Sequence, residues 1–258
     1  MTASILLASG FLLLLAALYI LSEPAASLRF FYSPAAAVFS TAGFLVAVLG
    51  VGLNLWEPQS VVFISLFLFF LLTLGLKCLH AVAHGGRPWG ATVIHFGLFL
   101  FAFSLAFGGL RMERYRLLAQ PNIPEMRAVD LKSGQMCRLP IAVELQSFDI
   151  RYHEISDLNR LEQAVPRQYI ARVKVHDYTV DPPRVREDSI LVNRPLRVAG
   201  FHIYNTSFDP YGQGYVTFLL VKDPWRGATY AGIVLCLAGG LLLFIQNSRK
   251  RLQHDELA

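Results

Sequence analysis

The chain has 258 residues, of which 54% are hydrophobic and 16% charged, and its mean hydropathy is +0.45. These values exclude a purely soluble globule. Of the 41 Asp, Glu, Lys and Arg residues, 31 fall between Arg111 and Arg226, leaving ten for the other 142 positions. The sequence therefore reads as a membrane protein carrying one polar domain. That domain mixes 17 basic with 14 acidic side chains and shows no basic stripe, so the net charge of +5 does not mark a nucleic-acid binder.

A helix needs roughly 20 apolar residues to cross a bilayer core of about 30 Å. Five segments qualify: Ser4–Ser22, Ala35–Leu55, Ser60–Leu79, Gly90–Leu110 and Gly227–Gln246, none holding Asp, Glu or Arg. The break between the second and third rests on Asn54 to Gln59, where Pro58 follows polar residues. The expected division is a membrane domain over 1–110, a β-rich domain over 111–226, a last span over 227–246 and a basic tail over 247–258. Placing Arg249, Lys250 and Arg251 in the cytoplasm also puts Arg29, Lys77 and Arg87 there, with the polar domain outside. The first segment lacks a positive side chain before its apolar run, so it is expected to be an extra helix and not a cleaved signal.

Between 111 and 226, Ala171, Val173 and Val175 alternate with Arg172, Lys174 and His176, the period of a half-buried strand. Similar runs occur at Ile141–Tyr152, Ser189–Val198, Phe201–Thr206 and Tyr215–Val221. Turn signals separate them at Asp181-Pro182-Pro183, Asn193-Arg194-Pro195, Asp209-Pro210 and Gly212-Gln213-Gly214. Short strands without long intervening helices predict an antiparallel sheet or sandwich. Arg151–Val165 is the one stretch expected to hold a short helix. The fold class is thus a helical membrane protein of about five spans, with an antiparallel, extracytoplasmic β-rich domain inserted before the last helix.

The candidate chemistry lies in histidines. His95 sits inside the fourth span, and His80 and His84 lie at the end of the third with the i, i+4 spacing that shares a helix face. An ionisable side chain at membrane depth is a functional candidate, and haem iron takes axial imidazole from helices. The plainer reading is that each ring hydrogen-bonds a nearby carbonyl. His153, His176 and His202 fall in the polar domain and His254 in the tail, where a surface or core role is expected. Cys78, Cys137 and Cys236 are widely spaced, form no CxxC motif and suggest no disulfide framework; no CxxCH accompanies Cys78. Phe30, Phe31, Tyr32, Trp56, Trp89, Trp225 and Tyr230 read mainly as an interfacial belt in the lipid bilayer. Phe96, Phe99, Phe101, Phe103 and Phe107 suit either a macrocycle or lipid. No GxSxG, HExxH, P-loop or GxGxxG is present.

The run Ile190-Leu191-Val192-Asn193-Arg194-Pro195-Leu196, followed by Gly200-Phe201-His202-Ile203-Tyr204-Asn205-Thr206-Ser207, resembles the ResB (CcsB) family of cytochrome c biogenesis proteins. His95 to Leu100 ahead of Gly108-Gly109, Phe148 with Tyr152, Tyr169 with the strand to Asp177, and Asp223-Pro224 are similar to that family too. The chain departs from its pattern by the additional first span, a short outer domain, and Asn205 where Gln is common. The resemblance implies a System II subunit of a bacterial inner membrane that helps carry haem across the membrane and present it to apocytochrome c. It also implies that His95 is an axial ligand of haem b shared with a CcsA/ResC-type partner, and that covalent attachment falls to that partner, so that this chain assembles and positions and is not itself the catalyst. Two other classes stay open on the residues alone. One is a b-type haem or quinone-linked redox subunit, with His95 and either His80 or His84 on one haem; the other is a membrane scaffold without haem.

Overall fold

The computed structural model describes residues 3–22, 26–85, 88–152, 166–209 and 214–255. The helices are α1 (Ala3–Ser22), α2 (Pro34–Gly52), α3 (Val61–His84), α4 (Trp89–Gly108) and α5 (Arg226–Asp255). All five are long and apolar enough to cross a membrane, the pattern of a multi-pass membrane protein. Their ends follow from local chemistry. Ser33 Oγ accepts from the Ala36 N–H ahead of Pro34 at the first helical position, and Ser60 Oγ accepts from the Phe63 N–H. Helix α3 runs past Leu79 because nothing breaks it before Gly85, which takes φ of 62° at the cap. His80 and His84 therefore stand on the helix itself. Helix α5 likewise continues beyond its apolar part, as far as Asp255.

The chain divides into two units, one of residues 1–111 with 225–258 and one of residues 112–224. In the helical unit, α4 and α5 pack through small residues. A Cβ added at Gly90, Gly97, Gly232 or Gly239 would meet backbone atoms of the opposite helix at 2.5–2.8 Å. Water drives little helix association in lipid, so close van der Waals contact between backbones takes its place. Ser104 and Thr229 add a hydroxyl pair at 2.9 Å. On its other side α4 turns Phe99, Phe103 and Phe107 into a buried cluster with Leu15 of α1 and Leu71 and Leu74 of α3. Helix α2 joins α3 through Phe44, which stacks on Phe67 and Phe70 with centroids 5.1 and 4.8 Å away.

Among the described residues the second unit is one antiparallel sheet of eight strands in the order β5-β4-β3-β2-β1-β8-β7-β6. The strands are β1 (Glu113–Ala119), β2 (Glu125–Asp130), β3 (Met136–Tyr152), β4 (Pro166–Asp177), β5 (Arg184–Leu191), β6 (Leu196–Val198), β7 (Phe201–Phe208) and β8 (Val216–Lys222). First and last strands pair, Glu113 opposite Lys222, so the chain enters and leaves at one end. A sandwich is not formed. The 17-residue β3 pairs with both β2 and β4, and the register shift between Leu145 and Ser147 curls the sheet. The bridge between Leu191 and Arg194 brings the β5 edge to the turn before β6, which nearly closes the sheet. Inward residues form one core, with Leu117, Ile141, Val143, Val173, Val175, Ile190, Ile203 and Phe218 fully buried.

Two of these strands, β1 and β2, lie ahead of the first strand expected from sequence. The Ser189–Val198 run is two strands, because residues 192–195 make the turn. The stretch expected as a short helix falls largely at 153–165, outside the described residues; Tyr152 ends β3 and Pro166 begins β4. Gly212 and Gln213 also lie outside them.

Candidate functional site

Helix α4 carries His95 about a turn and a half from its start, half-buried. Its Nδ1 lies 2.6 Å from the carbonyl oxygen of Ala91, one turn back. A carbonyl can only accept, so Nδ1 carries the proton and donates. In the neutral ring the lone pair then sits on Nε2, the nitrogen that faces away from the helix backbone. A histidine held in this way, with one nitrogen donating to a carbonyl and the other basic, is the arrangement that metal-ligating imidazoles adopt. The carbonyl bond that the plainer reading expects is therefore present, and it orients the ring and leaves Nε2 without a proton in the neutral form. Between α3, α4 and α5, a hollow of about 160 Å³ is lined by Cys78, Val82, Trp89, Thr92, Val93, Phe96 and Leu235. It is almost wholly apolar. Phe96 and Trp89 contribute exposed rings to it, whereas Phe99, Phe103 and Phe107 point into the helix bundle.

His80 and His84 form a separate cluster. Their rings lie 4.3 Å apart, Tyr32 stacks on His80 at 4.5 Å and 14°, and the Tyr19 hydroxyl is 3.3 Å from His84 Nδ1. The i, i+4 spacing brings the two imidazoles together as the sequence predicts, but the structure adds two phenols from α1 and the turn Ala26–Tyr32 that spacing cannot reveal. Tyr32, expected as an interfacial belt residue, stacks on His80. His95 stands apart from this cluster among the described residues: its ring nitrogen bonds to a carbonyl of its own helix. Trp225 packs on Phe103 at 5.7 Å and covers Gly108. Trp56 donates its indole N–H to the Ala47 carbonyl at 3.1 Å.

In the sheet, His176 pairs with Glu144 at 3.4 Å across β3 and β4. His202 lies on β7; His153 lies outside the described residues. Cys78 is buried, and Cys137 and Cys236 are half-buried thiols. Burial pushes the Cys137 thiol up from its ordinary value, so it is a poor nucleophile at neutral pH. Among the described residues no group of three or more His, Cys, Asp or Glu is placed to hold a metal ion. What α4 offers is one imidazole, His95, oriented by a bond to its own helix.

No curated protein matches the chain. Among solved structures, a chain titled Cytochrome c Heme Lyase CcmF is similar to it with a TM-score of 0.39 and 14% identity, over 78% of this chain and 33% of that one. This chain thus spans about a third of that chain's length. The model of the ResB-like family matches residues 75–232, from the latter part of α3 through α4 and the whole sheet into α5, and the chain belongs to that family.

Proposed function

We propose that the protein works in cytochrome c maturation, in a bacterial inner membrane with the β domain outside the cytoplasm. It would hold haem b through His95 together with a histidine of a CcsA/ResC-type membrane partner, and help to present it to apocytochrome c. The observation that carries this reading is the Nδ1 bond of His95 to Ala91, which presets the tautomer that a haem ligand requires. Family membership supports the pathway. The imidazole's share of the work is to bind and orient; bound haem supplies the vinyl groups that receive cysteine thiols. His80 and His84 are the further candidates for iron within this chain.

The test is the absorption spectrum of the chain purified alone and with its partner. A six-coordinate haem signature in the complex that is lost in His95→Ala, and regained when imidazole is added to His95→Gly, is the expected result. Haem bound in stoichiometric amount by the isolated chain, and lost equally in His84→Ala and His95→Ala, would point instead to a haem held wholly within it. Unimpaired maturation of cytochrome c in His95→Ala would remove the role altogether.

A further inference from the structure

The β domain has a built end that the haem reading does not use. Strands β3 and β7 finish there, β4 and β8 begin there, and the turns after β1 and β5 close it; the chain enters and leaves the sheet at the opposite end. Phe148, Tyr169 and Phe208 meet at this end, with centroids 5.0 Å (Phe148 to Phe208), 5.3 Å (Tyr169 to Phe208) and 6.3 Å (Phe148 to Tyr169). Three rings from three strands form a wall with a hollow on each side.

The first hollow, of about 250 Å³, is bounded by Phe148, Phe208, Leu145 and Tyr215, with Asp209 at its rim. Its lining is almost entirely apolar except for Ser147, whose Oγ is buried and has no hydrogen-bond partner among the described residues. An unpaired buried hydroxyl in an aromatic hollow is costly unless an incoming polar tip satisfies it. The second hollow, of about 570 Å³, is open and evenly polar and apolar, and it holds Tyr169 with Arg167, Gln168, Asn193 and Arg194. Both arginines are exposed and neither forms an ion pair among the described residues; Asp188, close to Arg194, is held by Arg186 at 2.6 Å. Paired guanidinium groups beside amide side chains suit a carboxylate.

The two requirements differ in kind and lie on either side of one wall. The wall between the hollows is one ring pair, Phe148 and Tyr169, with centroids 6.3 Å apart and planes within 12° of parallel. We propose that this end of the β domain docks a segment of a partner protein carrying an aromatic residue with an acidic one close to it. The aromatic side chain, Trp or Tyr, fills the first hollow and gives its N–H or O–H to Ser147; the carboxylate sits between Arg167 and Arg194. The site stands on the sheet alone and does not depend on the role of His95.

The experiment is fluorescence anisotropy of the full chain in detergent micelles with the labelled peptide Gly-Gly-Trp-Gly-Glu-Gly-Gly. Saturable binding is expected, weakened at least tenfold when the peptide Glu becomes Lys. Arg194→Glu should reverse that order, weakening the Glu peptide and strengthening the Lys peptide. Ser147→Ala should weaken the Trp peptide several-fold while leaving its Phe counterpart unchanged. Arg167→Glu serves the same purpose should Arg194→Glu lose the strand signal in circular dichroism. Binding that ignores the peptide charge, or absence of saturable binding, overturns the proposal. So does a change of oligomeric state in Arg194→Glu by sedimentation, which would give this face to a second copy of the chain.

Discussion

Gly97 of α4 and Cys236 of α5 approach so closely that a Cβ at position 97 would stand 2.7 Å from the Cys236 backbone nitrogen. Backbone atoms of a helix cannot step aside as a flexible side chain can, so Gly97→Ala must push the two helices apart. The expected cost is roughly 1–3 kcal/mol, the range for overpacking a tight contact. Gly240, on the same helix pair but with open space where its Cβ would be, is the control. Gly240→Ala should leave the thermal midpoint in detergent unchanged or slightly raised. Equal midpoints for the two variants would show that α4 and α5 do not depend on this contact.

That contact also shows how far the sequence could be read. Apolar length and the near-absence of charge make five spans legible, because a bilayer imposes them residue by residue. Which helices touch is not written in hydropathy: Gly90, Gly97, Gly232 and Gly239 are scattered among other small residues, and only their shared face pairs α4 with α5. The alternation of Ala171, Val173 and Val175 against Arg172 and Lys174 announces β4. The same period in β1, where Tyr115, Leu117 and Ala119 turn inward, is shorter and is masked by Leu118 on the outer face. Closure of the sheet depends on bulges and on pairing between distant strands, which no local pattern encodes. At the candidate site, His95 stands out as an imidazole among apolar residues, and His80 with His84 by spacing. Tyr19 and Tyr32 reach the latter pair from separate elements, so their part emerges only in three dimensions.

The hydroxyls of Ser40 and Thr73 lie 2.8 Å apart, both buried, and link α2 to α3. Each also reaches a carbonyl of its own helix, Ala37 and Phe70 respectively, so removing one partner leaves the other still bonded. The coupling should therefore be small. A double-mutant cycle of Ser40→Ala and Thr73→Val, read as detergent unfolding free energy, is expected to give about 0.6 kcal/mol and at most ~1.7 kcal/mol. Strictly additive effects would mean the hydroxyls do not act on each other.

Two phenylalanines separate the forces holding the two units. Phe218 in β8 is fully buried in the sheet core, whereas Phe244 in α5 is 70% exposed. Phe218→Ala removes a ring from a dense interior and should cost about 3–5 kcal/mol, abolishing the cooperative loss of strand signal on heating or shifting it far downward. Phe244→Ala leaves a smaller apolar side chain on a face that suits lipid or detergent, and should alter neither the strand nor the helix transition by more than about 0.5 kcal/mol. A large effect at Phe244 would assign that face to packing against protein.

Glu125 opens β2 at a bulge, and its carboxylate accepts from Arg127 Nε and Nη2 at 2.9 Å each and from the Arg127 and Met126 backbone N–H groups at 2.8 and 3.1 Å. The Arg127 side chain and these N–H groups, against the opposing effect of burial, hold the carboxyl at about 2 instead of its ordinary 4.5. A carboxyl whose folded value lies below its unfolded one stabilises the fold fully above the unfolded value and loses that contribution as pH falls through the folded one. The window is thus pH 4.5 down to about 2. Because the Arg127 side chain is 71% exposed, solvent screens the pair, and Glu125→Gln should cost only about 1 kcal/mol at neutral pH. Urea unfolding of the wild type and of Glu125→Gln, followed by strand signal, should give curves that differ at pH 7 and draw together as the pH nears 2. Added salt should narrow the gap at pH 7 as well. A difference that stays constant from pH 7 to the acid limit would mean that Glu125 contributes through shape and not through its charge.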